Sequence, residues 1–230
     1  MTAWFITATG TDVGKTFVTQ GLVRALRRQG DAVEAYKPVA SGFDMATAET
    51  SDPGVLLTAL GRAVTQAELD RIAPWRFAAP LSPDMAARRE GRGIAFDDLI
   101  AFSKSAVRPN ATVLIEGVGG IMVPLDDRHT VLDWMTALAW PAIVVAGSYL
   151  GTISHTLSAL DVLARRGVKV AAVVVCETPG STVALDETTE TIARFAAGIE
   201  VLSLPRLPDA ASDHTVFRTL AARTLLGAVR

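Results

Sequence analysis

The stretch Thr9-Gly10-Thr11-Asp12-Val13-Gly14-Lys15-Thr16 decides the fold of this chain. It follows an apolar run, Ala3 to Ala8, that reads as a strand, and it opens a segment of helical periodicity from Lys15 to Arg28. A helix begun from a glycine-bearing loop leaves its first N–H groups without intrahelical partners, and phosphate oxygens suit them. The Gly-Lys-Thr triplet at that junction adds two specific groups. Lys15 can reach the β- and γ-phosphates of a nucleoside triphosphate, and the Thr16 hydroxyl can ligate Mg²⁺. The run Asp12-Val13-Gly14-Lys15-Thr16-Phe17 is the expected nucleotide cradle. The strict pattern has glycine five positions before Gly14, where this chain has Thr9.

Outward from the loop, strand-like runs alternate with helical ones. Ala32–Tyr36, Thr112–Ile115, Ala142–Ala146, Val168–Val175 and Val201–Leu204 are continuously apolar and largely β-branched, as strands covered on both faces must be. Thr152–Arg165, Leu185–Ala197 and Val216–Val229 carry helical spacing, and Gly30 and Gly167 stand where helices end before strands. The order predicts a phosphate-loop, three-layer α/β fold with a mostly parallel central sheet and helices on both faces. No linker, repeat or low-complexity tract divides residues 1–230, so one domain is expected. Gly42 to Arg108 carries Pro53, Pro74, Pro80 and Pro83 and reads as short helices and loops over the sheet edge.

Composition excludes several classes. Half the residues are apolar and 20% are charged, which is globular rather than disordered. A net charge of -2 offers no general attraction for nucleic acid or anionic membrane, and Arg24, Arg27 and Arg28 read as a solvated helix face. The opening MTAWFITATG has no basic segment before a long apolar one, and no apolar run reaches a membrane span, so a cytoplasmic enzyme is expected. One cysteine, Cys176, excludes an intrachain disulfide, and His129, His155 and His214 have no metal-ligand spacing.

The chain has 22 Lys plus Arg, yet only four are lysines: Lys15, Lys37, Lys104 and Lys169. Where arginine is the usual cation, a lysine points to a need for a compact charge, although Lys104 and Lys169 read as surface residues. Among the acids, Asp12 lies inside the loop. Glu116 follows the run Thr112–Ile115 and precedes Gly117-Val118-Gly119-Gly120, at the strand end where parallel sheets bind ligands. A carboxylate there is a natural Mg²⁺ ligand. Ser51-Asp52 before Pro53 reads equally as a turn or helix cap.

Several ordered blocks resemble the dethiobiotin synthetase family over almost the whole length. They are Phe5 to Thr16, Tyr36-Lys37-Pro38-Val39-Ala40-Ser41-Gly42, Ser51-Asp52, Phe77 to Pro83, Glu116 to Gly120, Asp133-Trp134 and Leu150 to His155. The resemblance implies a homodimer that takes 7,8-diaminononanoate, CO₂ and MgATP and releases dethiobiotin, ADP and phosphate. It implies that Lys15 holds the γ-phosphate and that Lys37 neutralises a substrate carbamate beside it. Thr11 and Ser41 would hydrogen-bond substrate or phosphate oxygens, and Thr16, Asp52 and Glu116 would hold Mg²⁺. The turn at Leu150 and Gly151 would receive the substrate carboxylate. No side-chain nucleophile is needed, so Cys176, Ser154 and His155 receive none of that role.

The chain departs from the family pattern at four positions. Ala8 stands where many members have glycine, Gly10 where aspartate is common, and Asp84 where histidine is common. Cys176 stands where an adenine-reading asparagine is usual, and a thiol offers no matching donor–acceptor pair. Base recognition is then either relaxed or supplied by the backbone around Pro205 and Leu207. The tyrosine that crosses the family's dimer has no evident equivalent, with Thr182 or nearby backbone as a substitute. Three other readings compete: a septum-positioning or partitioning ATPase, a carboxylate-activating amidotransferase and a nucleotide-sensing module. The first usually carries an early loop lysine, absent from Ala8 to Val13, and the second needs an ammonia source, for which these 230 residues show no evident glutaminase domain.

Overall fold

A computed structural model describes residues 2–208 and 213–226. The order begins β1 (Thr2–Ala8), α1 (Lys15–Arg28), β2 (Val33–Tyr36), β3 (Val39–Ser41), a 3-10 turn (Met45–Thr50), α2 (Asp52–Ala59), α3 (Gln66–Ile72) and β4 (Trp75–Phe77). It continues with α4 (Pro83–Arg89), α5 (Phe96–Ser105), β5 (Thr112–Glu116), α6 (Val131–Leu138) and β6 (Ala142–Gly147). The remainder is α7 (Thr152–Arg165), β7 (Val170–Cys176), α8 (Leu185–Phe195), β8 (Glu200–Leu204) and α9 (Thr215–Leu226).

Six strands form one sheet in the order β2-β5-β1-β6-β7-β8, and every neighbouring pair is parallel. All residues of β5 and β6 are buried, which is why their sequences run apolar without alternation. The chain leaves β1 towards β2 on one side and leaves β6 towards β7 on the other. Right-handed crossovers then place α1 and α7 on opposite faces. The reversal falls at β1, whose neighbours β5 and β6 diverge from it, and the carboxyl ends of these strands frame a crevice there.

Three elements lay outside the sequence expectation. β3 and β4 pair as a small parallel sheet of three-residue strands, too short for periodicity to reveal. Helix α6 is closed by a capping box in which Asp133 accepts from the Thr130 backbone and hydroxyl. Its Trp134 is fully buried, meets Phe5 edge-on at 4.8 Å and donates to Ser103 Oγ at 3.0 Å. Strand β7 begins at Val170 rather than Val168, and α8 stops at Phe195, before the left-handed residues Ala197 and Gly198. Of the helix expected at 216–229, residues 227–229 lie outside the described residues. Among the described residues no helix is long and apolar enough to cross a membrane.

Helix α2 carries a residue towards the crevice, and Gly54 lets it sit where it does. A Cβ at Gly54 would lie 1.9 Å from the Ala48 carbonyl oxygen of the preceding 3-10 turn. Inside a helix alanine ordinarily gains about 1 kcal/mol over glycine. Here Gly54→Ala should instead destabilise the protein by roughly 1–3 kcal/mol, because backbone must move to admit the methyl. A urea titration measures this, and a raised midpoint would contradict the packing.

Candidate active site

The loop after β1 continues the sheet before it turns, since Thr9 N–H donates to Val145 O at 2.9 Å. Its left-handed positions are Asp12 (φ 56°) and Gly14 (φ 97°), the latter capping α1. Aspartate tolerates that conformation better than most residues, and glycine adopts it without strain. Gly10 is not left-handed, and a Cβ there would meet only Val13 at 4.0 Å. The loop's left-handed turns thus fall on Asp12 and Gly14 and not on Gly10. Behind the loop, a Cβ at Gly120 would lie 3.2 Å from Thr9 O, so the glycines after Glu116 allow two backbones to meet. Lys15, the first residue of α1, is buried beneath the loop. Burial, joined by repulsion from Lys37, lowers its ammonium pKa to about 8 against the attraction of Glu116, Asp52 and Asp12.

Four residues from separate elements converge beside it. Thr16 Oγ1 lies 2.8 Å from Asp52 Oδ1 and 2.7 Å from Glu116 Oε1. Lys37, between β2 and β3, donates to Asp52 Oδ2 at 2.7 Å, Glu116 Oε1 at 2.7 Å and the Gly117 carbonyl at 3.0 Å. Lys37 and Glu116 are fully buried, whereas the Asp52 side chain is 45% exposed towards the cleft. Ser51 resolves the ambiguity at Asp52. Its hydroxyl caps α2 by accepting from Gly54 N–H at 3.3 Å, which leaves the Asp52 carboxylate free for Thr16 and Lys37. Burial alone would raise the Asp52 pKa, but the Lys37 charge and hydrogen bond, with Thr16, hold it down to about 2. Burial likewise opposes charge on Lys37, and Glu116 and Asp52 outweigh it, raising the ammonium above its ordinary value.

These groups open on a cleft of about 850 Å³. Of the expected residues, Thr11, Asp12, Gly14, Lys15, Thr16, Phe17, Lys37, Ser41 and Asp52 line it, and Glu116 lies just behind the carboxylate edge. Val13, Leu150, Gly151, Cys176, Pro205 and Leu207 do not line it. Leu150 is 85% exposed on the turn before α7, and Gly151 caps that helix with φ 99°. The loop after β7 is stitched to that turn, with Thr178 and Ser148 exchanging hydrogen bonds at 3.0 Å and Ser181 donating to Ser148 O at 2.6 Å. Thr182, in that loop, is exposed. Cys176 is buried, its pKa pushed up to about 12 by that burial, and its Sγ lies 2.9 Å from where a Cβ on Gly14 would be. Its strand partner Leu204 leads directly into Pro205.

Residues to which the sequence assigns no role also line the cleft: Phe43, Pro80, Leu81, Ser82 and Pro83. The proline-rich composition of Phe77 to Pro83 was the available signal. Asp84 has a role here, because its Oδ1 accepts from the Ser82 hydroxyl at 2.6 Å and so fixes that wall residue.

The oxygen set fits a divalent cation. A threonine hydroxyl carries one proton, so it cannot donate to two carboxylates at once. An octahedral ion with ligands at about 2.0–2.1 Å keeps adjacent oxygens roughly 2.9 Å apart, close to the separations around Thr16. Glu116 Oε2 is buried without a hydrogen-bond partner. Among the described residues no group of three or more His, Cys, Asp or Glu gathers. One hydroxyl and two carboxylates is a set for Mg²⁺, which completes its shell with waters and phosphate oxygens.

An AAA domain model matches residues 2–213. The ATP-dependent dethiobiotin synthetase BioD of Acidiphilium cryptum is 48% identical over 196 residues, covering 84% of this chain and 88% of that protein. That of Phenylobacterium zucineum is 46% identical over 229 residues, covering 98% of each. Among solved structures, the cell division ATPase MinD of Pyrococcus furiosus superposes with a TM-score of 0.55 at 15% identity, covering 99% of this chain and 100% of that one. The septum site-determining protein MinD of Pyrococcus horikoshii, complexed with Mg-ADP, gives 0.54 at 17% identity, covering 99% and 95%. These structural likenesses establish the fold, which septum ATPases share. The near-half identity along the length of the curated relatives separates the two possibilities, and the chain belongs to the ATP-dependent dethiobiotin synthetase family.

Proposed function

We propose that residues 1–230 act as one domain that joins CO₂ to 7,8-diaminononanoate and closes the ring to dethiobiotin, with ATP consumed to ADP and phosphate. The observation that carries the reading is the buried Lys37, set between two carboxylates and beside Lys15, at the mouth of a phosphate loop. A free amine adds CO₂ to become a carbamate, an anion and a poor electrophile. Transfer of the γ-phosphoryl group makes it a carbamic–phosphoric anhydride, which the second amine attacks. Two anions must therefore be held together.

Lys15 and the N–H groups from Asp12 to Phe17 cradle the triphosphate, and Lys37 offers its charge to the carbamate. Thr11 and Ser41, both on the cleft wall, hydrogen-bond the oxygens between them. Thr16, Asp52 and Glu116 are the groups that would hold Mg²⁺. The ion, when bound, neutralises phosphoryl oxygens as charge develops. Leu150 and Gly151 lie outside the cleft of their own chain, and the exposure of Leu150 supports a homodimer in which this turn receives the carboxylate tail of the substrate. Cys176 packs under Gly14, so its contribution to the nucleotide would be loop support, and base recognition would fall to the backbone at Pro205 and Leu207, which follows its strand partner Leu204.

Purified protein supplied with labelled bicarbonate, 7,8-diaminononanoate and MgATP should fix acid-stable label in step with phosphate release. Phosphate released without label would leave only an ATPase. Lys37→Ala should lower turnover by on the order of 100-fold or more, the scale of lost electrostatic stabilisation, while nucleotide affinity changes far less. Asp52→Asn should raise the Mg²⁺ concentration giving half-maximal rate, and an unchanged requirement would remove Asp52 from the metal set. Cys176→Ala should raise KM for ATP yet leave the ratio of ATP to GTP turnover unaltered. A changed ratio would place the thiol at the base.

A further inference from the structure

The ammonium of Lys37 has three protons and three acceptors: Asp52 Oδ2, Glu116 Oε1 and the Gly117 carbonyl. In this arrangement it has no proton left for an anion in the cleft. Two of its three acceptors are the carboxylates that, with Thr16, form the divalent-cation set. Glu116 Oε1 is shared, lying 2.7 Å from Lys37 Nζ and 2.7 Å from Thr16 Oγ1. A cation ligated there competes with the ammonium for Glu116 Oε1, and the two charges repel one another across Asp52, whose Oδ1 faces Thr16 and whose Oδ2 faces Lys37.

We propose that Lys37 is an exchangeable counter-ion of the metal site: it holds Asp52 and Glu116 together until a divalent cation takes them. The displaced ammonium then keeps its Gly117 anchor and turns two freed protons to the substrate anion. The inference rests on the metal set assigned above. It makes the substrate-binding charge a product of metal loading, so that a nucleotide bound without metal leaves Lys37 engaged with its carboxylates. Coupling is reciprocal: an anion that draws Lys37 into the cleft must strengthen cation binding by the same factor. It also explains how two carboxylates, one fully buried, stay in register before the ion arrives. Without an internal cation their mutual repulsion would spread them.

Two measurements test this, neither of them turnover. Free Mn²⁺ is followed by electron paramagnetic resonance with wild-type protein and Lys37→Met, with and without ADP. Removing the competitor should tighten Mn²⁺ binding by on the order of tenfold, a typical coupling between sites. Wild-type binding with no gain in Lys37→Met overturns the exchange alone, whereas no Mn²⁺ binding by wild type even with ADP overturns the metal assignment with it. The second measurement uses unaltered protein, so it does not depend on the variant folding. With only four lysines in the chain, ¹⁵N-labelled lysine ammonium signals can be assigned one by one. The Lys37 signal should shift when Mg²⁺ is added to the ADP-saturated protein, and an unmoved signal would refute the exchange.

Discussion

Lys37 and Glu116 meet where neither can reach bulk water, at the carboxyl edge of a parallel sheet. Taking either charge out of water costs several kcal/mol, and close geometry with further hydrogen bonds is what offsets it. Much of the surrounding structure follows from that requirement. Glu116 is the last residue of β5 and Lys37 follows β2, its parallel neighbour, so sheet pairing delivers both to one edge. The Gly117 carbonyl supplies the third acceptor because the chain turns immediately after the strand. Asp52 arrives from the opposite side on a helix whose cap is made by its neighbour, Ser51. The phosphate loop and Lys15 then lie against a surface whose charges are already answered.

What was legible in the sequence had local physics behind it. The loop from Thr9 to Thr16 is contiguous, and helix α1 runs over the same residues that periodicity marked, Lys15–Arg28. The strands were legible because burial on both faces demands unbroken apolar runs. The convergence of Thr16, Asp52 and Glu116 was not derivable from residues alone, since they are separated by 36 and 100 positions. At Ser51-Asp52 local reasoning was divided for a physical cause: the pair does contain a cap, but the serine makes it. The three-residue strands β3 and β4 lie below any period a sequence can display.

The blocks of resemblance mix chemistry with packing, and their places in the fold sort them. Asp133 and Trp134 are a cap and a core ring, with Asp133 also pairing with Arg166 at 2.7 Å. Cys176 occupies a position expected to read a base, yet its sulfur fills the space behind a left-handed glycine. Lysine usage sorted itself by place. Lys15 and Lys37 are buried at the site, while Lys104 and Lys169 are exposed.

The central position of β1 carries a kinetic consequence. Its two neighbours come from residues 112–116 and 142–147, so its first productive pairing closes a loop of over a hundred residues. No hairpin exists among the six strands to begin the sheet locally. Chains dominated by such distant closures fold slowly, because the entropy of closure is lost before the contacts that reward it are made. Until then, the β1-facing edges of β5 and β6, with runs such as Val113–Ile115 and Ile143–Ala146, stay unpaired and apolar, the kind of segment that joins other chains at high concentration. The architecture that gathers four distant charges at one edge thus exposes the newly made chain to self-association for as long as β1 waits for its partners.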